Sequence, residues 1–243
     1  MKRAPLPGVD LGLYLRAVPL LARNPSIIVI PLLMAVIGVL AGMLFSGGMT
    51  PFSAPTMGIA SLILFLLQLF GLGAACVIAD DAWRHGRASF DRGWSETQRR
   101  GGDILFAALG VGLVISLGQY VATILGALIA LVLQAAIALF LLWAIPAAAV
   151  GGVPGGAALQ VSVDRVRANF PSAAIAVIVS LVLVYYVVPL VDSLLVAWLV
   201  PYVAGYATLS VSLLYALLSA IAYGYVALVL TKTYTDASFT RRW

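Results

Sequence analysis

The sequence predicts an all-α, polytopic membrane protein with six transmembrane helices, cytoplasmic interfacial helices and a three-fold repeat of helix hairpins. Three observations lead there. The 243 residues are 63% hydrophobic and only 9% charged, whereas a soluble domain carries about a quarter charged residues. Apolar runs of about 20 residues recur, the length a helix needs to cross a hydrocarbon core of roughly 30 Å. These runs are continuously apolar and lack the alternation of a transmembrane β-strand. Finally, the 14 Lys and Arg residues fall in four groups: Lys2, Arg3, Arg16 and Arg23; Arg84, Arg87, Arg92, Arg99 and Arg100; Arg165 and Arg167; Lys232, Arg241 and Arg242. Six spans taken in pairs place every group on one side and leave the other side only Asp192. That positive-inside pattern predicts a single integral membrane domain (1–243) with both termini cytoplasmic.

The elements follow in order. Val9 to Asn24 is mostly apolar, but Arg16 and Arg23 are seven residues apart and share a helical face. This predicts a short helix in the cytoplasmic interface. The same arginines interrupt the stretch a cleavable signal would need, so the run Ile27 to Leu44 is read as a retained span. Asn24-Pro25 restarts the chain, Asn as cap and Pro as first helical residue. Span 1 is expected over 25–45, a breaker-rich outer turn over 46–55, and span 2 over 56–79.

Asp80 to Asp103 is the longest strongly polar stretch, with five arginines, five acids and the single histidine, His85. Within it Phe90, Trp94 and Thr97 sit at i, i+4 and i+7, which predicts a second interfacial helix. Gly101-Gly102 is expected to break that helix and Asp103 to cap span 3, over 104–120. A short outer turn (121–126) leads to span 4, over 127–150. The glycine-rich stretch 151–156 lacks a P-loop lysine and follows a span, which argues against phosphate binding of that kind. Leu159, Val163, Val166 and Phe170 form a third stripe, and Asn169-Phe170-Pro171 restarts the chain again. Span 5 is expected over 171–188, an outer segment with Asp192 over 189–205, and span 6 over 206–230.

A lead-in helix, a basic residue, a breaker and two spans therefore occur three times, over 9–79, 89–150 and 157–230. Two spans per unit give every unit the same orientation. The repeat is then parallel, about an axis along the membrane normal. A shorter echo, A-S-F-x-R-x-W, occurs at Ala88 to Trp94 and at Ala237 to Trp243. Interfacial anchoring explains it, since Arg, Phe and Trp all favour that layer.

Chemistry is sparse. Polar residues inside spans are Gln68, Gln119 and Gln134, with Ser116, Thr123 and Ser180; hydrogen bonding between helices is their first reading. Thr208, Ser212, Tyr215 and Ser219 share one face of span 6, while Ala216, Ala220 and Gly224 provide close packing. Gln68, Gln119, Gln134, Asp192, Ser212 and Tyr215 are the candidate polar path of a transporter or channel. Asp192, near a span end beside Pro189, is expected to be exposed at the interface. His85, Ser89 and Asp80 or Asp81 supply the residue types of a hydrolytic triad, with nothing to set their geometry. One Cys and one His build neither a zinc site nor a bis-His haem site. No cofactor and no catalytic residue is expected, and the charge does not point to nucleic acid. Arg84, Arg87, Arg92, Arg99, Arg100, Arg165 and Arg167 are candidate contacts to anionic lipid headgroups. The expected partners are membrane lipids, a second copy, or another membrane protein.

Several short motifs carry a resemblance. They are Arg23-Asn24-Pro25; Asp81, Ala82, Gly86, Ser89, Phe90 and Gly93 after span 2; and Arg167, Asn169 and Phe170 before span 5. With them the chain resembles the bacterial six-span proteins related to the membrane domain of glycerophosphoryl diester phosphodiesterases. The resemblance covers nearly the whole chain. It implies the six-span fold and a tie to membrane lipids. Catalysis in the phosphodiesterase members belongs to a separate soluble domain, so the resemblance carries no enzymatic activity across. The expected function is a non-enzymatic, lipid-associated scaffold or partner subunit.

Overall fold

The computed structural model describes residues 10–46, 54–125, 127–199 and 207–239. Among them every regular element is a helix: α1 (Leu11–Arg23), α2 (Ser26–Ser46), α3 (Ala54–His85), α4 (Phe90–Leu125), α5 (Ala127–Leu141), α6 (Ala144–Ala149), α7 (Gly155–Ala168), α8 (Phe170–Val182), a π-turn (Leu183–Val187), α9 (Val188–Leu199) and α10 (Ala207–Phe239). Six segments are long and apolar enough to cross a membrane: Ser26–Met43, Ala60–His85, Phe90–Val121, Val132–Ala149, Phe170–Trp198 and Leu209–Ala237. Leu33, Leu113, Leu117, Val132, Ile178 and Leu194 on these segments are largely exposed. Such a surface suits hydrocarbon, not water. The chain is a multi-pass membrane protein. Residues 47–53 of the expected outer turn lie outside the described residues, as do 200–206 and the basic ends with Lys2, Arg3, Arg241 and Arg242.

Several expected breaks do not occur. α4 runs unbroken through Gly101-Gly102 into span 3. Each glycine costs about 1 kcal/mol of helix propensity, whereas an opened ladder near hydrocarbon strands backbone groups at several kcal/mol each. Asp103 therefore lies inside α4 and caps α7 instead, accepting the Gly155 N–H at 3.2 Å. Over the turn expected at 121–126, α4 continues as helix to Leu125; residue 126 lies outside the described residues. Pro189 does not end span 5; the helical rod continues from α8 through the π-turn into α9. The π-turn shifts the hydrogen-bond register just ahead of the proline, which has no N–H to donate. α3 and α10 run on to His85 and Phe239, past the expected ends at 79 and 230.

Span 4, expected to be continuous, is broken at Leu142-Trp143 between α5 and α6. Pro146 is the cause: it offers no N–H to the Leu142 carbonyl and its ring crowds that group. Ser162 of α7 mends the break. Its hydroxyl donates to the Phe140 carbonyl at 2.7 Å and accepts the Trp143 N–H at 3.0 Å. The buried Trp143 indole N–H donates to Thr233 Oγ1 of α10 at 3.0 Å.

Burial sets the layers. The apolar stretches of Ala60–His85 and Leu209–Ala237 are each 50% buried, against 17% for Ser26–Met43 and Phe170–Trp198. α3 and α10 are therefore central, and α6 touches both. The central faces are made of small residues, such as Ala75 and Ala79 on α3, Ala147 and Ala148 on α6, and Ala220 and Ala227 on α10. Close approach of small side chains, not the hydrophobic effect, holds helices together in lipid. Around this centre α2 packs on α3 and α10, α4 on α3 and the α5–α6 pair, and α8 on α10 and α5. The short lead-in segments pack just as regularly. α1 lies on α10 and α7 lies on α6 and α4. The first turns of α4 lie on α3, where Gly93 is so close that a Cβ would sit 2.5 Å from Ile78 Cγ1.

The two Asn restarts adopt one geometry. Asn24 ends α1 at φ −130° and ψ 66°, and Asn169 ends α7 at φ −134° and ψ 44°. Each side-chain amide donates to the carbonyl four residues back, Leu20 at 2.8 Å and Arg165 at 3.3 Å. Asn24 thus caps the end of α1, not the start of α2 as expected. α1 is tied to α10 by the Tyr225 hydroxyl, which donates to the Tyr14 carbonyl at 3.1 Å. Burial, and then the neighbouring Tyr225, push the Tyr14 phenol up to about 12.

Candidate functional site

Hydrogen bonds bring the polar groups of distant segments to one end of the bundle. Arg100 Nη1 donates to the Ala149 carbonyl at 3.1 Å, capping α6. Arg165 Nη1 donates to the Tyr234 carbonyl at 3.1 Å, and its guanidinium lies 3.7 Å from the centre of the Tyr234 ring. Asn24 reaches the link between α3 and α4. Two polar cavities open at this end.

The first, of about 330 Å³, lies between the end of α3, the start of α4 and the end of α6. Its charges cancel. Asp80 pairs with Arg84 at 2.8 Å, and Asp81 accepts from His85 Nδ1 at 2.8 Å and Arg92 at 3.4 Å. Glu96 holds Arg99 at 2.6 Å and Arg100 at 2.5 Å. Asp81 also accepts the Ser89 backbone N–H at 3.0 Å, which caps the start of α4. The residue types of a triad therefore meet only in part. Ser89 takes part through its N–H, and its hydroxyl makes no hydrogen bond to His85.

The second cavity, of about 530 Å³, is a notch where the elbow after α1 meets the α3–α4 link. Asn24 builds it. Its amide donates to the Gly86 carbonyl at 3.3 Å and its oxygen accepts the Ala88 N–H at 2.7 Å. Gly86 takes φ +75°, a conformation that favours glycine. Asn24 is buried, so truncation would leave enclosed backbone groups unpaired. Asn24→Ala is expected to lower stability by about 2 kcal/mol. A thermal midpoint in detergent equal to the parent's would show that the clamp contributes nothing. Arg23 and Arg87 line this notch, both exposed, and neither is paired with an acid among the described residues.

The chain matches no protein-family model, no curated protein and no solved structure.

The seven arginines expected at headgroups divide accordingly. Arg84, Arg92, Arg99 and Arg100 are held by acids, and Arg165 by Tyr234. Arg87 and Arg167 are exposed without an acid partner among the described residues. The polar-path residues are only partly gathered. Gln68 and Tyr215 line one cavity of about 320 Å³ with Ser219 and Tyr223, between α2, α3 and α10. Ser212 is half-buried on α10 but does not line it, and Gln119 and Gln134 are exposed on α4 and α5. Asp192 is half-buried within the helical rod of span 5, with one carboxylate oxygen enclosed and unpaired, and not in an exposed outer segment. Ser180 bonds within its own helix, to the Ala176 carbonyl at 2.7 Å. The side chains of Thr123 and Thr208 lie outside the described residues.

Sequence reasoning missed Ser162, Thr233 and Arg23. A lone serine in a stripe carries no signal of its own. Pro146 did carry one: a proline inside a span needs a donor or acceptor from elsewhere. The signal for Arg23 was the absence of any acid between Asp10 and Asp80, so no acid nearby in sequence can neutralise it.

Proposed function

We propose that this chain is a non-enzymatic, lipid-associated scaffold or partner subunit of a bacterial inner membrane. The observation that carries the reading is an apolar groove of about 610 Å³ between α1, α8, α9 and α10. Val18 and Leu21 of α1 floor it, and Ile178, Val182, Leu218 and Ile221 are among its walls. A groove of this lining, opening on the lipid-facing side of a membrane helix pair, suits an acyl chain.

Orientation and layering belong to the same reading. The charged end is cytoplasmic, and both termini with it. α1 and α7 are interfacial. α1 buries Leu13, Ala17 and Leu21 while Leu11, Leu15 and Val18 are exposed, which suits a helix lying between protein and lipid. The three-fold repeat draws support from the cyclic packing, in which each lead-in segment rests on the second span of the unit before it. The matched Asn24 and Asn169 elbows support it too. The likeness to the membrane domain of glycerophosphoryl diester phosphodiesterases fits this reading, since Asp81, Gly86, Ser89 and Asn24 all serve the knot at the elbow.

A small transporter or channel is the second reading, favoured by the cavity that gathers Gln68, Tyr215, Ser219 and Tyr223. Native mass spectrometry in mild detergent tests the first: a defined oligomer that retains lipid stoichiometrically is expected, and a lipid-free monomer would overturn it. Flux through reconstituted vesicles tests the second. Loss of flux in Gln68→Leu or Asp192→Asn would favour transport over the scaffold.

A further inference from the structure

The notch at the elbow differs from the polar cavity beside it, because the positive charge of its two arginines meets no acid among the described residues. Arg23 ends α1 and Arg87 lies in the α3–α4 link. No acid lines the cavity they share, and neither has an ion-pair partner among the described residues. The neighbouring cavity shows the contrast, since each of its arginines there meets a carboxylate.

Further donors converge on the notch. It lies at the N-terminus of α2, a helix of 21 residues, where the macrodipole favours an anion. Ile27 and Ile28 already donate their N–H groups, to the Asn24 and Pro25 carbonyls. The Ser26 N–H makes no such bond, and the Ser26 hydroxyl is enclosed without a partner. Asn24 is fully engaged in holding the walls and does not compete. Two guanidinium groups and an open helix end match an oxyanion with several acceptor oxygens.

Geometry also bears on what the anion is attached to. Pro25, Val29, Leu33, Ile37 and Leu40 follow at spacings of three or four residues, so they share one face of α2. All five are exposed. That apolar face begins at the notch and runs along the span. A ligand seated here would have its anionic group on Arg23 and Arg87 and its hydrocarbon along α2.

We infer that Arg23, Arg87 and the N-terminal turn of α2 form a binding site for the phosphate of a membrane phospholipid. The inference rests on the lipid-associated reading and names the headgroup chemistry of that association. Two guanidinium groups and the free Ser26 N–H suit a phosphate; a neutral headgroup would leave both arginines uncompensated.

The test titrates the full-length protein in mild detergent with dioctanoyl phosphatidic acid, dioctanoylglycerol and inorganic phosphate. The parent is expected to bind the phosphatidic acid, and dioctanoylglycerol is expected not to displace it. Arg23→Gln with Arg87→Gln is expected to weaken binding at least about tenfold, the loss of one or more charge-assisted hydrogen bonds. Both side chains are exposed, so the thermal midpoint should hold. Arg99→Gln, at an exposed arginine already held by Glu96, should leave affinity unchanged. Equal affinity in the double variant, or an equal loss in Arg99→Gln, overturns the site while lipid association itself stands. Failure of the parent to bind either lipid overturns the broader reading as well. If inorganic phosphate binds as tightly as the lipid and the double variant loses both, the site takes a free anion and the phospholipid assignment falls.

Discussion

Gly155→Ala is expected to destabilise the bundle by about 3 kcal/mol or more, the upper range for overpacking a close contact. Gly155 begins α7 where that helix meets α4. A Cβ there would lie 2.4 Å from the Asp103 carbonyl oxygen, 2.6 Å from Phe106 Cβ and 3.0 Å from the Ala107 nitrogen. Two of these atoms are backbone and the third is a Cβ. None can swing aside, so α7 must lift off α4. The move would also stretch the 3.2 Å bond by which Asp103 caps α7. A thermal or SDS unfolding midpoint in detergent measures it, with Gly156→Ala as the control, since a Cβ at Gly156 meets nothing within 4 Å. Equal midpoints for the two variants would refute the close contact.

Ser162→Ala should cost nearly as much, about 2–4 kcal/mol, because it leaves two backbone groups unpaired at once. Phe140 lends its carbonyl and Trp143 its N–H, and Ser162 is wholly buried with its oxygen between them. Water does not reach the site to replace the hydroxyl, and the proline three residues on prevents the helix from closing up. Alanine fills nearly the same volume as serine, so a packing loss would be small. A midpoint shift therefore isolates the hydrogen bonds. If Ser162→Ala unfolds like the parent, the break in span 4 must be mended in another way. Ser162→Thr keeps the hydroxyl and adds a methyl, and it should retain the bonds at some packing cost.

Six spans and the grouping of the basic residues were legible in the sequence, because both depend on local composition. A span needs only length and apolarity, whatever its neighbours. The small-residue face of α10 was legible for a similar reason: Ala216, Ala220 and Gly224 at four-residue spacing have few uses other than close approach. Helix continuity was read less well. Gly101-Gly102 and Pro189 are strong breakers in water, but near hydrocarbon the cost of an opened backbone exceeds their penalty, so the helices run through. Pro146 broke its span because a partner, Ser162, lay ready on another helix.

The site was legible only as a list of arginines. Composition marked Arg84, Arg87, Arg92, Arg99, Arg100, Arg165 and Arg167 alike, and left Arg23 out of the headgroup candidates. Arg84, Arg99 and Arg100 meet acids three or four residues away on their own helices, whereas Arg92 meets Asp81 across the α3–α4 link and Arg165 meets Tyr234 of α10 only through packing. The sequence by itself determined a multi-span helical chain and the segments that carry its charge, since hydropathy acts over neighbours in the chain. The tertiary structure alone decided which distant groups meet, such as Arg100 with the Ala149 carbonyl, Arg165 with the Tyr234 carbonyl and Ser162 with Phe140 and Trp143, because hydrogen bonding acts over a few ångströms between residues far apart in sequence.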